Sequence, residues 1–167
     1  MPITKEIFRK VLGHFATGVT VVTMRHPSGG PWGFTVNAFT SVSLDPPLVL
    51  VCVDHGTESF RAMTGAEYFA VNFLSEQQEA ISCVFASRGA DRFSGVEYRE
   101  SPHGSPLLDG CVGFIECKVT GSHVAGDHTI IIGEVLEAQA SGGAPLLFYA
   151  GAYGRMGSPG DGNGSKG

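Results

Sequence analysis

The sequence predicts a β-rich domain with flanking helices, folded as an antiparallel β-barrel. Its 24 glycines and nine prolines are spread between short apolar runs, a pattern typical of many strands joined by tight turns. These runs give six or seven strands against two long helices and one short helix. A parallel βαβ sheet requires a helix between nearly all strands, so the small number of helices favours antiparallel pairing. A chain of 167 residues also suffices for one ordinary core without disulfides or metal.

An amphipathic helix is predicted at the start of the chain. Ile7, Val11 and Phe15 follow one another at four-residue spacing, and Thr4 precedes them as the predicted N-cap. Gly13 weakens the end of this helix.

Apolar and β-branched runs between turn signals predict the strands. A first run at 19–24 and the turn at 26–30 predict a hairpin with 32–44. The prolines of Asp45-Pro46-Pro47 break the chain before 48–53, whose continuous apolar run predicts a strand buried on both faces. The remaining predicted strands are 68–74, 111–119, 128–138 and 146–154, with the long pair 111–119 and 128–138 joined through 121–127.

Capping signals predict two further helices. Ser59 is the predicted N-cap of a short helix over 60–65. Ser75 and Gln78 match a capping box, so we expect a longer helix to open at Ser75 and to end at about Ala86.

Charge and hydropathy exclude several classes of protein. The formal net charge of −5 repels polyphosphate backbones and anionic lipid surfaces, so we expect no nucleic-acid and no membrane partner. No apolar run approaches the roughly 20 residues of a membrane-spanning helix, and the N-terminus carries charges where a signal peptide is apolar. We therefore expect a soluble, cytoplasmic chain.

The four cysteines are predicted to be reduced and buried. Cys52, Cys83, Cys111 and Cys117 form no C-x-x-C motif, so the sequence predicts neither a metal site nor a redox pair. Free cysteine behaves as a small apolar residue in protein cores.

The C-terminal segment separates from the rest of the chain in composition. Residues 157–167 are rich in glycine and lack apolar anchors, so their burial cannot offset the entropy of ordering them. The predicted organisation is one domain over 1–156 and a flexible Gly-rich tail over 157–167.

Residues 33–43 form the richest polar segment of the chain. Hydroxyl and amide side chains alternate there with apolar ones, which fits either a ligand site or a strand whose polar face meets water. Spacing alone does not choose between these interpretations. The sequence contains no P-loop, no G-x-S-x-G, no H-E-x-x-H, and no G-x-G-x-x-G between a strand and a helix.

Several stretches together resemble the short-chain flavin reductases, the family that supplies reduced flavin to two-component monooxygenases. The most specific stretch is 33–48, which contains Asp45-Pro46-Pro47. The other matching stretches are 16–23, 91–93, 126–128 and 149–154. Together they extend over nearly the whole chain.

The resemblance implies a split β-barrel homodimer that binds FMN or FAD at the subunit interface. It implies that the isoalloxazine and ribityl chain contact Thr35, Val36, Asn37, Ala38, Ser41, Val42, Ser43, Cys52, Val53 and Asp54. It implies that the flavin phosphate lies near Thr57 and Ser59, and we add Arg88 and Arg92 as the expected cations of this site. The residues alone leave a structural alternative open for each of these roles. Ser59 would then be a helix cap, the arginines would be solvated surface charges, and Cys52 would be a packed thiol.

The resemblance also implies a function and a catalytic residue. Gly126-Asp127-His128 corresponds to the region where the nicotinamide dinucleotide docks, so we expect His128 to bind NAD(P)H or to polarise the flavin. A hydrogen-bonded core histidine is the alternative. Tyr153 is expected near the flavin.

The implied activity is NAD(P)H:flavin oxidoreduction by hydride transfer, with reduced FMN or FAD passed to a partner monooxygenase. The alternatives are a split-barrel protein that keeps its flavin tightly bound and reduces another acceptor, and a flavin-binding redox carrier or sensor.

Overall fold

A computed structural model describes residues 2–89 and 91–157 of the chain, which form helices and strands in the β-rich proportion that the sequence predicts. The helices of this part are Lys5–Leu12 (α1), Glu58–Thr64 (α2) and Glu79–Ala86 (α3). Its strands are Thr17–Gly18 (β1), Thr20–Arg25 (β2), Pro31–Val36 (β3), Phe39–Leu44 (β4), Pro47–Asp54 (β5), Tyr68–Phe73 (β6), Tyr98–Glu100 (β7), Pro106–Leu108 (β8), Gly113–Ala125 (β9), His128–Ala140 (β10), Leu147–Tyr149 (β11) and Ala152–Gly154 (β12).

The main sheet has seven strands in the order β3-β2-β6-β9-β10-β5-β4, and all its neighbouring pairs are antiparallel. The predicted antiparallel, β-rich class is therefore confirmed. The predicted closure of the sheet into a barrel is not confirmed, because within the described residues β3 and β4 are the free edges of the sheet. The reason is the break at Asn37-Ala38, after which the chain pairs with β5 instead of continuing along β2.

The main core lies on the inner face of this sheet. Val22, Val51, Phe69 and Ile131 come from four different strands and are almost completely buried in one cluster. Burial of each such side chain contributes about 1.5–3 kcal/mol. Gly133 is required beside them, because a Cβ at this position would lie 2.6 Å from the Phe69 ring.

The N-terminal helix forms as predicted, but its apolar face is uncovered. Thr4 caps α1 by accepting a hydrogen bond from the Ile7 amide at 3.2 Å. Ile7, Phe8 and Val11 are between 51% and 62% exposed, and no residue of α1 is buried. Phe15 follows the helix, outside its bounds, and is 74% exposed.

The other two helices begin at different residues from those predicted. Thr57, not Ser59, caps α2, and its Oγ1 accepts from the Phe60 amide at 3.2 Å while Ser59 is buried in the first turn. One of the two hydrogen bonds of the predicted capping box is present, since Gln78 Oε1 accepts from the Ser75 amide at 3.0 Å. Helix α3 nevertheless starts only at Glu79. Ser75 instead forms a β-bridge with Pro145, which keeps its backbone extended.

Four predicted strand features need correction. The run 32–44 is divided into β3 and β4. Strand β5 alternates between buried and half-buried residues, so it is not buried on both faces. The long pair β9 and β10 turns at Gly126-Asp127, well beyond the predicted start of its connection. The run 146–154 is a hairpin, because Ala150 and Gly151 both have positive φ and reverse the chain.

All four cysteines are free, but they are not all buried. Cys111 and Cys117 lie in the core, Cys52 is half-buried and Cys83 is exposed on α3, contrary to the prediction for buried thiols. No helix among the described residues has the length and apolar character to cross a membrane. Apart from Gly157, the predicted tail 157–167 lies outside the described residues.

Candidate active site

A polar cavity of about 550 Å³ opens where the ends of several elements meet. Its walls come from the end of β3 and the following link, the end of β5, the start of α2, the end of α3 with the segment after it, and the first residue of β10. The lining residues are Phe34, Thr35, Val36, Asn37, Ala38, Cys52, Val53, Asp54, Gly56, Thr57, Glu58, Ser59, Phe85, Ala86, Ser87, Arg88, Gly89, Arg92 and His128.

The loop between β5 and α2 is held by hydrogen bonds within itself. Asp54 Oδ1 accepts from the Gly56 amide at 2.7 Å, and Thr57 Oγ1 donates to the Asp54 carbonyl at 2.7 Å. These bonds fix the start of α2 at the cavity wall. Thr57 and Ser59 thereby form part of the cavity wall.

The two arginines of the cavity differ in their surroundings. Arg92 Nη1 donates to the Gly33 carbonyl at 2.6 Å and Nη2 to the Ser87 carbonyl at 2.7 Å, so Arg92 ties the edge strand β3 to the end of α3. Burial lowers the pKa of Arg92, and the nearby charge of Glu58 opposes that shift. Arg88 is exposed at the cavity.

His128 enters the cavity at the turn between β9 and β10. Its Nδ1 lies 2.7 Å from Asp127 Oδ1, and this hydrogen bond and the charge of His128 lower the pKa of Asp127. The ionised carboxylate therefore accepts the Nδ1 proton. His128 pairs with Asp54 across the β10–β5 ladder and shares the half-buried face of β10 with Ile130 and Ile132.

An apolar cavity of about 860 Å³ adjoins the polar one. It is lined by Leu12, Phe15, Ala16, Thr17, Gly18, Val19, Thr20, Asn37, Ala38, Phe39, Thr40, Leu50, Cys52, Phe73, Leu74, Val112 and Pro145. Asn37, Ala38 and Cys52 belong to both cavities and form their shared wall. The Cys52 amide donates to the Ala38 carbonyl at 3.0 Å, which holds this wall together.

Most of the predicted site residues converge on the polar cavity. Its lining includes Thr35, Val36, Asn37, Ala38, Cys52, Val53, Asp54, Thr57, Ser59, Arg88, Arg92 and His128. Ser41, Val42 and Ser43 lie elsewhere, on the edge strand β4 around a bulge in its pairing with β5. Sequence reasoning missed seven lining residues, and a predicted site residue directly adjoins each of them in the sequence except Phe85 and Ala86. The seven are Phe34, Gly56, Glu58, Phe85, Ala86, Ser87 and Gly89.

Tyr153 does not line either cavity. Its hydroxyl lies 2.8 Å from Ser82 Oγ on α3, and burial raises its pKa. The carbonyl of the same Ser82 accepts a 2.7 Å hydrogen bond from Thr35 Oγ1. Tyr153 therefore contacts, at the buried Ser82, the helix that supports Thr35.

The fold and the site define a class of protein. It is an antiparallel β domain with two joined cavities, one lined by hydroxyls and arginines and the other apolar, as a small ligand with polar and apolar ends requires. The chain belongs to the family described as flavin reductase like domain, whose model matches residues 12–157.

Individual relatives agree with this assignment. The chain is 46% identical to a flavin reductase of Pseudomonas putida, over 91% of this chain and 90% of that protein. It is 41% identical to the reductase component of the 4-nitrophenol 4-monooxygenase/4-nitrocatechol 2-monooxygenase of Rhodococcus opacus, over 93% and 83% of the two chains. Among solved structures, the NADH:FAD oxidoreductase of Streptomyces globisporus in complex with NAD and FAD fragments matches with a TM-score of 0.88 and 38% identity, covering 94% of this chain and 95% of that one.

Proposed function

We propose that this chain is an NADH-dependent flavin reductase that releases reduced flavin to a separate monooxygenase. The observation that carries the proposal is the shared wall at Asn37, Ala38 and Cys52, where a polar and an apolar cavity meet. The names of the relatives support it, since they include a monooxygenase reductase component and an NADH:FAD oxidoreductase.

The residues of the two cavities fit a flavin. A flavin combines an anionic phosphate and a hydroxylated chain with a flat ring that has one apolar edge. Arg88 and the Ser59 hydroxyl would hold the phosphate in the polar cavity, beside Thr57, whose own hydroxyl proton is donated to the Asp54 carbonyl. The link at Asn37-Ala38 would contact the middle of the ring, between its polar and apolar edges. Phe39 and Leu50 would contact the apolar edge.

When bound, the flavin supplies an acceptor for a hydride from the dihydronicotinamide. The chain's contribution is to hold two rings in a fixed orientation, and it needs no acid or base for the transfer. His128 would position the dinucleotide, because its ring lines the cavity while Asp127 holds its Nδ1. Cys52 would act as a small packing residue, since burial raises its pKa and keeps the thiol protonated.

We also propose that the sheet is curved as a split barrel. Its two edge strands, β3 and β4, are separated in the chain only by Asn37 and Ala38. A sheet whose first and last strands are joined so closely has to curve until its edges approach each other at that end. The polar cavity then lies beside the split.

A homodimer is the remaining part of the proposal. The exposed apolar residues of α1 and Phe15 adjoin the apolar cavity, which is also lined by Leu12. A second copy of the chain would cover both surfaces at once in a two-fold arrangement. Ser41, Val42 and Ser43, which lie outside both cavities of one chain, would meet a flavin bound near such an interface.

Steady-state NADH oxidation with added flavin tests the proposed function. The initial rate should rise with FMN or FAD concentration and saturate, and protein purified without added flavin should show almost no turnover. A rate that is independent of added flavin would instead support the alternative of a tightly held prosthetic group. Consumption of a single equivalent of NADH per bound flavin would indicate a carrier or sensor.

A further inference from the structure

His55, in the loop between β5 and α2, contacts both neighbours of His128 in the chain. Its backbone amide donates to the Asp127 carbonyl at 3.0 Å. Its Nε2 atom lies 2.8 Å from the Oγ1 hydroxyl of Thr129. The loop thereby holds the start of β10 on both sides of His128.

The side-chain hydrogen bond of His55 is made to a buried group. Thr129 is only 4% exposed, and His55 is the partner that the described residues supply to its hydroxyl. Loss of this bond would leave the hydroxyl without a partner in a place that water reaches poorly. The His55 ring is held in turn by Phe60 of α2, with 4.7 Å between the ring centres.

The bond reaches β10 on the face opposite His128. Successive residues of a strand point to opposite faces, so Thr129 shares the buried face with Ile131 while His128 lines the polar cavity. In the described part of the chain His55 belongs to the lining of neither cavity. An effect of His55 on a ligand in the polar cavity therefore has to pass through His128.

The turn before His128 is open to solvent. The β10–β5 ladder finishes at the pair of His128 and Asp54, and the Asp127 side chain beyond it is 84% exposed. Strand ends with few packed neighbours open most readily. The two His55 bonds extend the attachment beyond the ladder and so restrict the movement of the His128 ring.

We propose that His55 is a positioning residue for His128. The inference rests on the proposed function, in which His128 positions the dinucleotide, and deepens it by naming the side chain that holds His128 in place. A small displacement of a group that orients a reactant lowers the rate of its reaction. The His55 ring therefore contributes to the NADH step and not to flavin affinity.

The first test is the kinetics of His55→Ala, which keeps the backbone amide and removes the ring. At saturating flavin, kcat/KM for NADH should fall about three- to tenfold, whereas the flavin dissociation constant should change less than about twofold. His55→Gln, whose side-chain amide can reach the Thr129 hydroxyl, should recover most of the loss. Thr129→Val keeps the contact between His55 and Phe60 and should reproduce the loss, including where His55→Ala is too unstable to assay.

Two comparisons separate positioning from a general loss of structure. In a His128→Ala background, His55→Ala should have almost no further effect on kcat/KM for NADH, because its action passes through the missing ring. The matched control is His26→Ala: His26 Nδ1 lies 2.6 Å from Ser28 Oγ and its ring centre 5.2 Å from that of Trp32, outside both cavities. It loses the same kinds of contact and should keep the wild-type NADH kinetics.

A second test uses the protein without flavin or NADH. The NMR signal of the His128 ring, assigned by its loss in His128→Ala, should shift or broaden in His55→Ala and stay in place in His26→Ala. An unchanged His128 signal, or equal losses from His55→Ala with and without His128, would overturn the inference. Absence of flavin-dependent NADH oxidation by the wild type would overturn the proposed function, while the ring signal would still decide whether His55 holds His128.

Discussion

Asp127 and His128 lie next to each other where β10 begins, and their hydrogen bond decides which ring nitrogen faces the cavity. The Asp127 carboxylate accepts the proton of Nδ1 at 2.7 Å. The Nε2 atom is therefore left to interact with a ligand. The Asp127 backbone is also fixed, because its carbonyl accepts from the His55 amide at 3.0 Å.

Replacement of His128 by alanine should impair reduction by NADH far more than flavin binding. Loss of one hydrogen bond to the dinucleotide is expected to cost about 1–3 kcal/mol, or roughly ten- to a hundredfold in kcat/KM. Stopped-flow reduction at saturating flavin, together with a melting curve, measures this. If His128 were only a core residue, the variant would melt earlier and lose flavin, while its folded fraction would be reduced at the wild-type rate.

The free cysteines should react with Ellman's reagent in an order set by burial. Burial raises the pKa of Cys111 to about 11 and that of Cys117 to about 12, so both thiols stay protonated at pH 8. We expect Cys83 to react rapidly, Cys52 more slowly, and the two core thiols only after unfolding. Added flavin should protect Cys52, and a Cys83→Ser variant removes the fast phase. Rapid reaction of Cys111 or Cys117 in folded protein would contradict the assigned core.

At the level of elements, Arg92 joins strand β3 to the end of helix α3. Its guanidinium donates to the carbonyls of Gly33 in β3 and Ser87 after α3, and its Cζ atom lies 4.8 Å from the centre of the Trp32 ring, also in β3. It thereby fixes the wall of the polar cavity between an edge strand and a helix end. This role differs from the phosphate contact that we expected of Arg92 from the sequence.

Arg92→Ala should lower the free energy of unfolding by about 2–4 kcal/mol, since two charge-assisted hydrogen bonds and a partly buried stacking contact are lost. Urea unfolding followed by circular dichroism measures the change. Arg61→Ala, on the exposed surface of α2, is the matched control and should change stability by less than about 0.5 kcal/mol. Equal stability of the two variants would show that the Arg92 bonds do not support the fold.

Elements whose signals are local could be predicted from the sequence. Thr4 and the spacing of Ile7 and Val11 were sufficient for α1, and the turn at 26–30 was sufficient for the β2–β3 hairpin. The cap of α2 was wrong because Thr57 and Ser59 are both good capping residues two positions apart. The preceding loop favours Thr57, because its hydroxyl also donates to the Asp54 carbonyl three residues earlier in the chain.

The composition of the site depended on information that local patterns do not contain. His128 meets Asp54 because β10 pairs with β5 in that register, which brings together residues far apart in the chain. The family resemblance identified most of the cavity residues, but not Glu58 or Ser87. Similarly, the position of Ser41 to Ser43 followed from the break at Asn37-Ala38, which turns β4 away from the polar cavity.

At the level of the whole molecule, the described chain leaves much apolar surface uncovered. Phe8, within α1, is 57% exposed, and Phe15, which follows α1 beside the apolar cavity, is 74% exposed. Contiguous exposed apolar patches on soluble proteins commonly mark interaction sites. Their position next to the shared wall connects the proposed dimer with the proposed flavin site.

Sedimentation should therefore show a homodimer for the wild type at micromolar concentration. Phe15→Glu introduces a charge into the apolar cavity and should shift the protein toward monomer, with a parallel loss of flavin affinity. Thr64→Glu, at the exposed end of α2, is the control and should remain dimeric. A stable wild-type monomer that reduces flavin at full rate would remove the dimer from the account.

The claim that flavin binds where the two cavities meet is tested most directly at Cys52, which lines both. The measurement is the flavin dissociation constant of Cys52→Phe relative to Cys52→Ser. The serine variant keeps the size of the side chain, so its affinity should stay within about threefold of the wild type, whereas the added ring should fill the junction and weaken binding more than about tenfold. Both variants should melt as single folded species. Wild-type affinity in a folded Cys52→Phe variant would contradict the account, because the flavin could not then occupy the junction.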